Sequence, residues 1–211
     1  RGIAVARTAP VVVAERLTDM MGLVLLTAAG SLSFRHGVSV TVAAALLVGL
    51  LMTACAFRPV GELFLSLLER MPVTRRIAPR LREAYDSLWA MTRLGPLLWG
   101  TALSTLAWGL ECVALLVVVR GLGEQTMSWH AATFAYAAST VAGALTMMPG
   151  GLGVTEAGMT GLLQALGGEQ ITAAVASAAT ILVRIATLWW AVAVGLAALG
   201  VYQRIYRRGR G

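Results

Sequence analysis

Residues 38–57 read VSVTVAAALLVGLLMTACAF, twenty consecutive positions without a charge. Wound as a helix at about 1.5 Å per residue, this stretch matches the roughly 30 Å hydrocarbon core of a bilayer. The same solvent accounts for the composition around it. Of 211 residues 58% are apolar and 13% charged, and mean hydropathy is +0.77. A soluble domain carries about twice that charged fraction. The charges are also gathered into short segments between long uncharged ones. The expected fold class is all-α: a polytopic transmembrane helix bundle.

The first span is expected over about 17–34, entered through Glu15-Arg16-Leu17-Thr18-Asp19, with a tight turn at Arg35-His36-Gly37 before the second. Residues 58–95 then change character. They hold seven Arg, four acids and three prolines, Pro59, Pro72 and Pro79, with Pro96 just beyond. Two amphipathic pieces are visible there. Leu63, Phe64, Leu67, Leu68 and Met71 recur at helical spacing, and so do Ile77, Leu81, Tyr85, Leu88 and Thr92. They read as interfacial helices on the cytoplasmic leaflet: a solvated positive-inside loop, or a sensor of anionic lipid.

A third span is expected from Pro96 to Val119 and a fourth from His130 to Met148, joined by a nearly neutral loop. Pro149-Gly150-Gly151-Leu152-Gly153 interrupts the helical pattern, because no continuous helix tolerates that cluster. A short helical stretch, 154–167, and a last apolar run, Ile171–Tyr202, follow. Arg balance places segment 58–95 (net +3) and the tail 204–211 (net +4) in the cytoplasm. The count of crossings then fails to close. Either 150–168 crosses, or it re-enters, or the run 171–202 is itself broken; as one helix that run would be about 48 Å long. Interrupted or re-entrant helices are therefore expected near 149–168. The chain opens on Arg1 inside an apparent helix. Residues 1–211 are accordingly expected to form a single membrane domain that is the C-terminal part of a larger one.

All 17 basic residues are Arg, and the net charge is +7. In a soluble chain that excess would suggest nucleic acid. Here the Arg residues flank apolar spans, so no nucleic-acid partner is expected. Cys55 and Cys112 lie inside apolar runs, spaced for neither metal nor redox chemistry, and read as small buried side chains. With only His36 and His130 there is no metal-ligand set, so neither metal nor other cofactor is expected. The sequence holds no Gly-x-Ser-x-Gly, no P-loop Lys and no His-Glu-x-x-His. No catalytic residues are expected, and ATP-driven work by this chain is not expected either.

Ionisable residues in the apolar segments carry the functional signal. A charge at the bilayer centre costs about 2.5–3.5 kcal/mol on insertion scales, so it faces protein or a watery cavity and has a partner. Within the last apolar run Arg184 has 13 uncharged residues before it, back to Ile171, and 19 after it, to Gln203. Its partner must come from another helix or from a ligand, with Glu156 and Glu111 the available acids. It is either a phosphate or head-group contact or half of a structural ion pair. Glu156 follows the Pro-Gly break by three residues. Such breaks survive at membrane depth only where they are buried or line a cavity, and transporters use them to present helix termini to charged substrates. The alternative is a loop with an acidic helix start. Glu111 shares a helix face with Ser104 and Trp108, and Ser139, Gly143 and Thr146 stripe the next span beside Tyr136; small residues in that pattern are more often packing surfaces than pathways. Glu15, Arg16 and Asp19 read as a pathway entrance or as juxtamembrane anchors, with Arg16 and Asp19 able to pair at i,i+3.

Taken together, Val12-Val13-Ala14-Glu15-Arg16-Leu17-Thr18-Asp19, then Pro149-Gly150-Gly151-Leu152-Gly153-Val154-Thr155-Glu156-Ala157-Gly158, then Arg184 in the last apolar run, resemble the flippase-like, lysylphosphatidylglycerol synthase transmembrane-region family. The likeness runs through essentially the whole chain in order. It implies an integral protein of the bacterial cytoplasmic membrane, multi-pass, with a cytoplasmic C-terminus. The implied role is moving an anionic or aminoacylated phospholipid, or a polyprenyl-linked lipid, between leaflets. An alternative is a non-catalytic membrane component of a lipid-modifying or glycosyl-carrier pathway. The implied partners are membrane lipids such as an anionic phospholipid or polyprenyl phosphate, and a separate synthase or glycosyltransferase. The positions carried over are Glu15, Arg16, Asp19, Glu156 and Arg184 for the lipid head group, and Gly150, Gly151 and Gly153 for the break. Glu111 and Pro149 join them from the reading of the residues themselves.

Overall fold

The computed structural model of the protein describes residues 5–32, 37–56, 58–59, 62–63, 66, 78–146, 148–168 and 171–208. Among them the chain is helical and has no strand. The helices are α1 (Val5–Ser31), α2 (Gly37–Ala56), α3 (Ala78–Met91), α4 (Leu94–Gly121), α5 (Trp129–Leu145), α6 (Val154–Gly167), α7 (Ala173–Arg184) and α8 (Trp190–Arg208). A 3₁₀ turn, Pro149–Gly151, precedes α6, and a π-helical turn, Ile185–Trp189, joins α7 to α8. The turn expected at Arg35-His36 and most of the first amphipathic piece, from Phe64 to Met71, lie outside the described residues apart from Ser66. The second amphipathic piece is α3.

The chain divides into two compact units, residues 1–110 and 111–211. In the first, α1 packs against α2 and α3, and α2 against α3. Gly22 of α1 sits where a Cβ would lie 2.9 Å from the backbone nitrogen of Thr105, so the two backbones approach closely at a position that only a missing side chain permits. In the second unit α6 packs against α5 and α7, and α5 also meets the 3₁₀ turn. Gly143 of α5 faces Thr155 of α6 at a distance no Cβ could occupy. Gly158 of α6 also lies close to Ser139, where a Cβ would come 3.2 Å from the serine Cβ, so the small-residue stripe of α5 is a packing surface.

Three features fit a lipid solvent. First, α4 and the stretch Ala173–Ile205 are long and apolar enough to cross a membrane, yet only 22% and 11% of their most apolar windows are buried. On α4, Trp99, Leu103, Leu106, Leu110 and Val117 form one exposed stripe. A core helix of a water-soluble protein would hide that face. Second, hydroxyls within the apolar helices turn back on their own backbone. Thr27 donates to the Leu23 carbonyl (2.8 Å), Thr41 to Gly37 (2.9 Å), Thr105 to Thr101 (2.7 Å) and Ser139 to Ala135 (2.6 Å). Where no water is available, each polar group must be satisfied internally. Third, α2 spans its 20 residues without a charge.

The helix boundaries differ from the sequence reading in two places. Helix α1 begins at Val5, so the charges at 15–19 lie within a continuous helix of 27 residues. Helix α8 runs to Arg208, so the basic tail begins as an extension of the helix.

Candidate functional site

The Pro-Gly break builds the charged site of the second unit. Gly150 (φ 65°) and Gly151 (φ 66°) hold left-handed backbone that other residues adopt with strain. A Cβ on Gly151 would also fall 2.4 Å from the Thr155 hydroxyl. The chain thereby reverses within a few residues and starts α6 at Val154. Helix α6 has 14 residues, about 21 Å, which is less than a full crossing needs.

Glu156 occupies the first turn of α6 and uses both carboxylate oxygens. Oε2 accepts the Gly153 N–H at 2.6 Å, satisfying one of the free donors at the helix start. Oε1 accepts from Arg184 Nε, also at 2.6 Å. Arg184 ends α7 and is buried, 7% exposed. Its Nη2 donates to the Gly150 carbonyl at 2.5 Å. One guanidinium therefore ties the turn of the break to the helix that follows it. The fork of donors suits this, because a carboxylate and a carbonyl can be held at once in fixed geometry.

Immediately after Arg184 the helix widens into the π turn. Thr187 donates to the Val183 carbonyl at 2.9 Å, a back-bond that competes with the regular ladder. Leu188 on this turn lies against Gly150; a Cβ there would come 3.1 Å from its Cδ2. The run 171–202 thus widens at a π turn but continues as one helix, Ala173–Ile205, and is not broken into two half-helices.

Beside Glu156 a groove of about 380 Å³ opens between α6 and α7. Glu156, Thr160 and Gln164 line one wall at i, i+4 and i+8, and Ser177 and Thr180 line the other. Thr160 and Thr180 are hydrogen-bonded across it at 3.1 Å. Among the described residues, Glu156 is the charged side chain in that wall. Its side chain is 28% exposed while that of Arg184 is 8%. The acid therefore faces the groove, and the Arg stands behind it.

Glu111 accepts a hydrogen bond from the hydroxyl of Tyr136, itself 1% exposed. In the first unit, Asp19 accepts from Ser104 of α4 at 2.9 Å and lies 3.7 Å from Arg16. Arg16 is open to its surroundings, with 68% of its side chain exposed, and Glu15 is exposed as well. The polar stripe expected from Ser104 to Glu111 is therefore shared between two partners, Asp19 and Tyr136. The structure brings Glu156, Arg184 and Gly150 into one site, with Pro149, Gly151 and Gly153 forming its turn.

Thr160, Gln164, Ser177 and Thr180 were not singled out from the sequence. The i, i+4, i+8 spacing of Glu156, Thr160 and Gln164 in an otherwise apolar stretch was the available signal. Among the described residues no cluster of three or more potential metal ligands occurs.

Lipid-facing helices, internally satisfied hydroxyls and an interrupted helix closed by an ion pair define a polytopic α-helical membrane protein. The model of the lysylphosphatidylglycerol synthase TM region matches residues 1–195, and the chain belongs to that family. A UPF0104 membrane protein of Methanothermobacter thermautotrophicus is 28% identical over 141 residues, covering 62% of this chain and 40% of the relative. The chain thus spans well under half the length of that relative. No solved structure matches.

Proposed function

We propose that this chain forms part of a lipid translocase and that the groove between α6 and α7 takes the lipid head group. The observation that carries this reading is a carboxylate in the wall of a groove otherwise lined by neutral side chains, in a helix too short to cross a bilayer, fixed from behind by a buried Arg. Interrupted helices that line a cavity are how membrane proteins place polar chemistry at depth. Glu156 supplies negative charge, and Thr160, Gln164, Ser177 and Thr180 supply neutral donors and acceptors. That set suits a head group bearing an amine and hydroxyls, so an aminoacylated phospholipid fits it better than a bare polyprenyl phosphate. Arg184 is a positioning residue: two of its donors hold Glu156 and Gly150.

The family's description names a synthase, which favours one second reading: a membrane component that serves a separate lipid-modifying or glycosyl-carrier enzyme and moves nothing itself. Proteoliposomes of the complete protein distinguish the two. Leaflet accessibility of labelled lysylphosphatidylglycerol, phosphatidylglycerol and a polyprenyl phosphate would be followed for wild type, Glu156→Gln and empty vesicles. Translocation predicts movement of the amine-bearing lipid by wild type and its loss in Glu156→Gln, which removes the charge and keeps one of the two acceptor oxygens that meet Gly153 and Arg184. Wild type equal to empty vesicles for all three lipids rejects translocation and leaves the component reading.

A further inference from the structure

Arg58 and Arg93 come from distant points of the sequence and meet over one indole. The guanidinium carbon of Arg58 is 5.1 Å from the centroid of the Trp89 ring, and that of Arg93 is 6.0 Å from it. Both distances fall within cation–π range. Their place along the chain fixes their depth. Arg58 follows the end of α2 by two residues, and Arg93 immediately precedes α4. Both helices are apolar, so the cluster stands where hydrocarbon gives way to head groups, the level that Trp favours.

Among the described residues the charge of the cluster is not balanced. Arg58 Nε bonds Glu62 at 2.8 Å, with both side chains about half exposed (55% and 53%). Arg93 is exposed too. Among the described residues one carboxylate therefore answers two guanidinium groups gathered about one ring. An anion arriving at this point relieves their repulsion and meets donors in forked geometry, which phosphate oxygens match. Directly below, Leu94, Leu98 and Trp99 of α4 are 71%, 58% and 79% exposed. Positive charge above an open apolar helix face is the complement of a phospholipid, whose phosphate sits above its acyl chains.

We propose that Arg58, Arg93 and Trp89 form a binding site for the phosphate of an anionic phospholipid at the membrane surface. The site is separate from the groove between α6 and α7 and does not rest on the translocation reading. The apolar face beneath it selects a lipid over a free phosphate.

Native mass spectrometry of the complete protein, titrated with phosphatidylglycerol, phosphatidylcholine and glycerol phosphate, tests this. Wild type is expected to retain phosphatidylglycerol over phosphatidylcholine, with no competition from glycerol phosphate. The Arg58→Gln/Arg93→Gln variant should bind phosphatidylglycerol roughly tenfold more weakly. A variant with the same loss of charge in the tail, Arg204→Gln/Arg207→Gln, should bind like wild type. Unchanged binding in the first variant overturns the proposal, as does an equal fall in both, which would mean diffuse charge attraction. Competition by glycerol phosphate would also overturn it. If the first variant does not fold, Trp89→Leu decides: weaker retention of phosphatidylglycerol supports the site, and retention equal to wild type refutes it.

Discussion

Two Arg–acid pairs in this chain look alike on paper and differ in the structure. Arg16 and Asp19 stand three residues apart on α1, 3.7 Å from one another, with Arg16 exposed. Arg184 and Glu156 come from different helices, meet at 2.6 Å, and leave Arg184 only 7% exposed. The first is a local pair whose acid is held mainly by Ser104 from another helix. The second closes a break in the chain and has a third member in the Gly150 carbonyl. Burial and topology, rather than the chemistry of the pair, decide how much of the fold depends on each.

The largest effect that would sharpen this contrast is expected at Arg184. Arg184→Ala leaves the Gly150 carbonyl and the Glu156 carboxylate without their partner and should destabilise the protein by about 3 kcal/mol, within the range for halving a buried pair. Thermal unfolding in detergent would read it, and Arg184→Ala/Glu156→Ala should cost clearly less than the sum of the singles. Next comes the turn itself. Gly151→Ala forces a methyl toward Thr155 at a positive φ and should cost about 2 kcal/mol in the same measurement. Smaller effects are expected on α1. Asp19→Asn keeps an acceptor for Ser104 and should cost less than about 1 kcal/mol. Arg16→Ala should stay within about 0.5 kcal/mol, because its pair is exposed. A loss at Arg16→Ala as large as that at Arg184→Ala would break the comparison.

Much of this was legible from the residues because lipid is a strict solvent. Uncharged runs long enough to cross, a Pro-Gly cluster that no helix accepts, and a lone Arg in an apolar run each have few structural solutions. The pairing of Arg184 with Glu156 was one of two options set by the cost of an isolated charge. Other features left weaker marks. The charges at 15–19 read as the edge of a span, yet the helix runs through them; the bond from Ser104 to Asp19 depends on a helix some 85 positions away. The π turn falls in Ile185–Trp189, where one Thr among apolar residues carries no distinctive pattern. The groove was missed because Thr and Ser in membrane helices usually bond their own backbone, as Thr27 and Thr41 do here. The signal that remained, the i, i+4, i+8 recurrence of Glu156, Thr160 and Gln164, is one that a helix-packing stripe shares.

The central claim is that a lipid head group occupies the groove beside Glu156. Thr160 lines it opposite Thr180 and offers the most direct probe. Thr160→Cys would be made in a Cys55→Ser/Cys112→Ala background of the complete protein, and lipid movement in proteoliposomes measured before and after a charged methanethiosulfonate. The account predicts reduced but measurable movement before modification and none after it, with labelling slowed by the lipid that moves. Movement undiminished by complete modification would contradict it.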